Sequence, residues 1–289
     1  MSTALKVSNL YKNYGNNQVL KGISFEVSKG EIFALLGTNG AGKTTTLECI
    51  EGLKIYNSGE ISLYGKMGVQ LQSSSLPENI RILEALSLFS KWNNSTVDNN
   101  LIEKLNLTPL LKKQYKELSI GQKRRLHLAL SLIGNPDIIF LDEPTAGLDV
   151  EGRFALHDEI KNLKSKSKTI IITSHDMAEI ASLCDRLAIL KDGKIVFMGT
   201  PHELTSTTSK LYKIKLKLSS QLLLENNSKI LFKSIDQGYY TFEINKIDEE
   251  LLELLTCAKS QNIEVYDVKI EQTTLEECFI NIARGEINE

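Results

Sequence analysis

The chain has 289 residues, 42% of them hydrophobic, which is enough for a real core in one large or two modest domains. Its 34 basic and 36 acidic side chains leave a formal charge of -2, so no net field draws in nucleic acid and no nucleic-acid partner is expected. No apolar segment approaches the roughly 20 residues that a bilayer span requires, and residues 1–10 lack the charged start and apolar middle of a signal peptide, so a cytoplasmic protein is expected. Cys49, Cys184, Cys257 and Cys278 are scattered without a Cys-x-x-Cys pair, which argues against zinc or a disulfide framework and for packing residues or surface thiols.

Residues 5–10 and 19–27 alternate loosely between apolar and polar, with Tyr14-Gly15-Asn16-Asn17 as a turn between two antiparallel strands. Tyr14 is either an aromatic face able to stack on a purine or an ordinary turn tyrosine; the residues alone leave both open. The apolar run 32–36 then leads into Gly37-Thr38-Asn39-Gly40-Ala41-Gly42-Lys43-Thr44, and Thr45 continues into a helix with Leu47, Ile50 and Leu53 at helical spacing. Strand, glycine-rich loop and helix in that order form a phosphate cradle. The glycines let successive N–H groups converge on an anion, Lys43 reaches the β- and γ-phosphates, and the Thr44 hydroxyl suits Mg²⁺.

Asn57-Ser58-Gly59 marks a turn, residues 60–64 a short strand, and residues 67–72 a second strand that ends in Gln72. From about 73 to 134 the pattern turns helical: Ile82, Leu83, Leu86 and Phe89 recur at helical spacing, as do Leu101, Ile102, Leu105 and Leu107, before Pro136 closes the stretch. Within it, Leu118-Ser119-Ile120-Gly121-Gln122 has capping-box spacing at Ser119 and Gln122, so a helix starts there with free N–H groups beside a glycine. Such a start suits an anion, although taken alone a simple cap is the better reading, because capping boxes are common.

Ile138-Ile139-Phe140-Leu141 reads as a strand buried on both faces, closed by Asp142-Glu143-Pro144, and residues 169–173 as another that ends at Ser174-His175. The carboxyl ends of strands in an open α/β sheet form the ligand crevice, which gathers these groups beside the phosphate loop. Asp142 suits a Mg²⁺ shell, Glu143 the activation of water, and His175 a hydrogen bond to a γ-phosphate. Thr145-Ala146-Gly147-Leu148-Asp149 between the strands is a short turn with an acid at its end, too small to be catalytic alone, that could touch a neighbouring subunit.

Together these residues resemble the ATP-binding subunits of ABC transporters over about residues 1–205. In that family's terms Gly37 to Thr44 resemble the Walker A loop, Gln72 the Q-loop glutamine, residues 118–122 the signature, residues 138–143 Walker B, residues 146–149 the D-loop and His175 the switch histidine. Tyr14 resembles the adenine-stacking aromatic. The departures are Ile120, where glycine is commoner, and a short connection across Tyr64-Gly65-Lys66-Met67-Gly68. The resemblance implies an α/β P-loop NTPase core with a mixed sheet, an antiparallel β edge and a helical insertion. It also implies ATP and Mg²⁺ as cofactors, with Thr44, Gln72 and Asp142 around the metal. It implies further that two copies, or one copy and a paralogue, pair head to tail, so that Ser119, Gly121 and Gln122 of one face the Walker A loop of the other. A separate integral membrane permease would hold the pair at the inner face of the membrane.

Residues 211–289 lie outside that core. Ile214, Leu216 and Leu218 alternate with lysines, Tyr240, Phe242 and Ile244 alternate with polar residues, and Ile263, Val265, Val268 and Ile270 suggest a third strand. Helices over 249–258 and from Thr274 to about Ile282 complete a small α+β accessory domain, whose ending resembles the drug, antibiotic-peptide and polysaccharide exporter branch. Export through a permease is therefore expected. A non-transport switch on ribosomes or DNA is disfavoured, because those relatives carry two cassettes or a long coiled coil, and import stays open because direction resides in the permease.

Overall fold

A computed structural model describes residues 2–70, 76–208, 212–223, 230–272 and 274–284. The chain forms two compact units, Met1–Pro201 and His202–Glu289.

The first unit begins with a long hairpin, β1 (Thr3–Tyr14) and β2 (Asn17–Ser28), followed by β3 (Ile32–Gly37) and α1 (Lys43–Ile50). β4 (Ser58–Leu63), β5 (Met67–Gln70), α2 (Ile82–Trp92), α3 (Asn99–Lys104) and α4 (Ile120–Leu132) come next. The unit closes with β6 (Ile138–Asp142), α5 (Val150–Ser165), β7 (Thr169–Thr173), α6 (Met177–Leu183), β8 (Arg186–Lys191) and β9 (Lys194–Gly199). Strands β5-β6-β7-β3-β8-β9 form one sheet in that order, parallel except for β9, and β2-β1-β4 form a separate antiparallel sheet. Every residue of β3, β6 and β7 is buried, as continuous apolar runs between two covering layers must be. One layer is α1 with the antiparallel sheet: Leu47, Cys49 and Ile50 pack with Phe33, Ile138 and Phe140 and with Leu5, Leu10 and Leu20. Phe25 and Phe33 stack across the two sheets at 5.5 Å.

The structure departs from several local expectations. Helix α1 ends at Ile50, because Gly52 turns the chain at φ 76, and Leu53 lies beyond it, 55% exposed. Ser58 and Gly59 belong to β4 rather than to a turn, and the described part of β5 stops at Gln70, so Gln72 lies outside the described residues. Leu83 points outward from α2, whose buried stripe is Ile82, Ala85 and Leu86. Helix α4 stops at Leu132, ahead of Gly134 at φ 87, before Pro136 is reached. Helices α5 and α6 and the β8–β9 hairpin add to the expected elements, the hairpin turning at Asp192-Gly193 (φ 49 and 79), a pair suited to a tight turn.

In the second unit, α7 (Pro201–Thr208) starts at the division, followed by β10 (Tyr212–Leu218), β11 (Leu231–Asp236), β12 (Tyr239–Ile244), α8 (Ile247–Ser260), β13 (Val265–Gln272) and α9 (Leu275–Arg284). Its antiparallel sheet runs β11-β12-β10-β13 over a core of Ile214, Leu216, Phe242, Ile244, Leu254 and Ala258. Strand β11 was not expected, since its residues are exposed and carry no alternation. Ile263 is buried but precedes β13, while Val268 and Ile270 remain 40% and 45% exposed. Thr274 and Glu277 make the reciprocal bonds of the expected capping box. Of the four free cysteines, Cys49, Cys184 and Cys278 are buried and Cys257 is partly so.

Helix α4 crosses β5 where Gly68 has no side chain: a Cβ there would lie 2.1 Å from the Ser131 carbonyl oxygen and 2.8 Å from Pro136 Cγ. Gly68→Ala should therefore cost about 2 kcal/mol or more, visible as a lower denaturation midpoint with an unchanged m-value.

Candidate functional site

The carboxyl ends of β3, β6 and β7 meet at one edge of the sheet. Gly42 occupies the N-cap of α1 in the left-handed region at φ 108, and a Cβ there would come 2.7 Å from Leu20. No side chain caps α1, so its first-turn N–H groups face the loop. The Lys43 ammonium donates to the carbonyls of Gly37 at 2.6 Å and Thr38 at 3.2 Å. Burial lowers the pKa of Lys43, against the opposing pull of Glu143 and Asp142.

The register of β6 and β7 sets Asp142 opposite Thr173. The Thr173 hydroxyl donates to Asp142 Oδ1, and its oxygen accepts from the Glu143 N–H at 3.1 Å. Glu143 also donates its N–H to the Thr173 carbonyl and sits at φ 48, a left-handed conformation that costs a non-glycine residue about 1 kcal/mol or more. From this bend its carboxylate Oε1 lies 2.6 Å from His175 Nε2. Thr38, Asn39, Gly40, Gly42, Lys43, Thr44, Thr45, Asp142, Glu143 and His175 line one cavity of about 390 Å³. Asn17 and Val19 complete its wall and, with Thr173, were not singled out in the sequence. Thr173 was readable as the polar residue that ends a buried strand just ahead of Ser174-His175; Asn17 and Val19 carried no such signal.

Gly37 and Ala41 are buried in the base of the loop rather than in the cavity wall. Tyr14 is 45% exposed, outside that wall, with the Lys12 ammonium 4.7 Å above its ring. The Ser119 hydroxyl accepts from the Gln122 N–H at 3.3 Å while Gln122 Oε1 accepts from the Ser119 N–H at 3.1 Å, which is the reciprocal cap. Ser119, Ile120 and Gly121 line a different cavity, about 640 Å³, with Gly147, Leu148 and Asp149. The structure thus gathers the loop, the acids and the histidine in one place and the residue 119–121 corner in another.

Among the described residues no cluster of three or more His, Cys, Asp or Glu is arranged to hold a metal alone. Asp142 and the Thr44 hydroxyl in the same cavity are hard oxygen donors that fit Mg²⁺ when phosphate oxygens and water complete its shell. Glu51, just past α1, is pushed up to about 7 by burial and by the charges of Asp142 and Glu48, and its Oε2 has no hydrogen-bond partner among the described residues.

A family model described as ABC transporter matches residues 20–146. An uncharacterized ABC transporter ATP-binding protein of Methanocaldococcus jannaschii is 34% identical over 258 residues, 87% of this chain and 98% of its own length. Nod factor export ATP-binding protein I of Burkholderia orbicola is 38% identical over 214 residues, covering 68% of this chain and 70% of its own. The linearmycin resistance ATP-binding protein of Bacillus subtilis is 29% identical over 96% of this chain and 97% of its own. A solved ATP-binding subunit of an ABC transporter superposes with a TM-score of 0.66 at 26% identity, over 71% of this chain and 92% of that one.

The raised Glu51 pKa has a definite sign. The folded protein holds this proton more tightly than the unfolded chain, so stability falls as pH rises from the ordinary carboxylate range through about 7 and then levels off. Glu51→Gln should flatten that fall, measured as Tm against pH between about 5 and 8.

Proposed function

The chain belongs to the ATP-binding subunits of ABC transporters and is an ATPase, and from that premise we propose that it works as half of a head-to-tail pair, with a second copy or a paralogue, that drives export through a separate membrane permease. The observation that carries the pairing is the separation of the two corners: the phosphate loop and the Ser119–Gly121 helix start line different cavities of one chain. A two-fold operation supplies each loop with the partner's helix start, completing both sites at once. Ser119, Gly121 and Gln122 then serve the partner's γ-phosphate, and the 145–149 turn beside them faces the same partner. Relatives named for Nod factor export and linearmycin resistance support export as the direction. No helix among the described residues is long and apolar enough to cross a membrane, in keeping with a peripheral subunit at the cytoplasmic face.

On this reading the work divides among the site residues. Amides of Gly37 to Gly42 and the first turn of α1, with Thr44 and Thr45, wrap the phosphates, and Tyr14 lies on the hairpin available to the adenine. Lys43 exchanges its carbonyl partners for phosphate oxygens, which neutralise the ammonium more fully. Thr44, Asp142 and Gln72 would hold Mg²⁺, whose charge offsets that of the phosphates. Glu143 accepts the proton of the attacking water as oxygen bonds to the γ-phosphorus and the bond to the bridging oxygen breaks, releasing ADP and phosphate. His175, 2.6 Å from Glu143, fixes that carboxylate and donates toward the γ-phosphate. Residues 211–289 act as an accessory domain.

Glu143→Gln should bind ATP with near wild-type affinity, lower kcat about a hundredfold or more, and migrate as a dimer in size-exclusion light scattering with Mg-ATP. Wild-type turnover would remove Glu143 from its role, and a monomer at saturating ATP would contradict the pairing. Lys43→Ala should abolish nucleotide binding in calorimetry.

A further inference from the structure

Glu179, in the first turn of α6, is 3% exposed, yet its carboxylate meets three separate segments. Oε2 accepts from the Thr145 hydroxyl at 3.0 Å and from the Ser174 hydroxyl at 2.5 Å, and Oε1 lies 3.1 Å from His157 Nε2 on α5. Ser174 directly precedes His175, and Thr145 follows Glu143 with only Pro144 between them. Proline fixes φ, so a displacement of Thr145 passes to Glu143 with little slack. The remaining bonds of the cluster hold the anchor itself in place: Asp176 caps α6 by accepting from the Glu179 N–H at 3.1 Å, and Ser174 Oγ accepts from the Asp176 N–H at 3.0 Å. One buried carboxylate therefore bonds to the neighbours of both members of the Glu143–His175 pair. A buried acid with three partners is also costly to leave unpaired, which makes the arrangement rigid.

We propose that Glu179 is a positioning residue that sets Glu143 against His175 through Thr145 and Ser174. The proposal rests on the hydrolytic reading of that pair. It adds that the turn facing the second copy and the loop carrying His175 share one anchor, so that the turn cannot shift without the histidine responding.

The test is ATPase kinetics and ATP affinity for Glu179→Leu and Glu179→Gln, each alone and combined with Glu143→Gln. Glu179→Leu should lower kcat about tenfold or more while the Kd for ATP stays within about twofold, since misplacement of a reacting group harms the chemical step rather than binding. Glu179→Gln should stay within about threefold of wild type, because its amide oxygen can face both hydroxyls while its NH₂ faces His157 in the other tautomer. With Glu143→Gln already present, Glu179→Leu should produce no further loss, since the aim of an absent carboxylate no longer matters. Multiplicative losses, or an unchanged kcat in a folded Glu179→Leu protein, would overturn the proposal. Should Glu179→Leu fail to fold, Thr145→Val and Ser174→Ala each remove one hydroxyl and carry the same comparison, and normal kcat in both overturns it. Wild-type protein that binds but does not hydrolyse ATP would defeat the hydrolytic reading and this proposal with it, whereas normal wild-type turnover beside an unaffected Leu variant defeats the proposal alone.

Discussion

The register that places Asp142 of β6 opposite Thr173 of β7 is the constraint on which the site depends. With β7 hydrogen-bonded between β6 and β3, that register brings an acid pair, a histidine-bearing loop and the phosphate loop to one edge. It also lets the single Thr173 side chain donate to Asp142 and accept from the Glu143 backbone. A slip in the pairing of β6 with β7 would separate these groups and turn the apolar runs out of register with the helices and the antiparallel sheet that cover them. Packing of the core and alignment of the chemistry are thus the same requirement here.

Electrostatics at that edge are held in balance rather than minimised. Burial lowers the pKa of Lys43 while Glu143 and Asp142 pull it the other way, and its ammonium donates to two backbone carbonyls. Asp142 and Glu143 lean on a hydroxyl and an imidazole, and Glu51 is raised partly because Asp142 lies near it. Lys43, Asp142 and Glu143 each have a neighbour of opposite or polar character, whereas Glu51 is raised by burial and by the like charges near it. The phosphate-binding end of α1 adds its own free N–H groups to the same point.

How much of this could be read from the residues alone depends on how local the signal is. The phosphate loop, the acid pair, His175 and the Ser119/Gln122 cap depend on spacing within a few residues, and the structure places them on the elements expected. Leu53 and Leu83 were misplaced because helical spacing says nothing of where Gly52 ends a helix or which side of α2 meets the core. The β8–β9 hairpin is legible in Asp192-Gly193 but lies outside the chemistry-bearing stretches. Asn17, Val19 and Glu179 carried no local signal at all. Their roles come from tertiary packing: a hairpin folded against the loop, and a helix whose buried acid meets residues 22 to 34 positions away in sequence.

Gly193 shows how the phosphate loop is braced from outside. Its N–H donates to the Ala41 carbonyl at 3.2 Å and its carbonyl accepts from the Lys21 N–H at 2.9 Å, while a Cβ would stand 2.3 Å from the Val19 oxygen. The bonds of this brace are all main chain, and Gly193 is a residue in it that has no room for a side chain. Evolution can therefore rewrite the surrounding surface for new docking partners without touching the cradle, provided this small hydrogen-only vertebra is left alone.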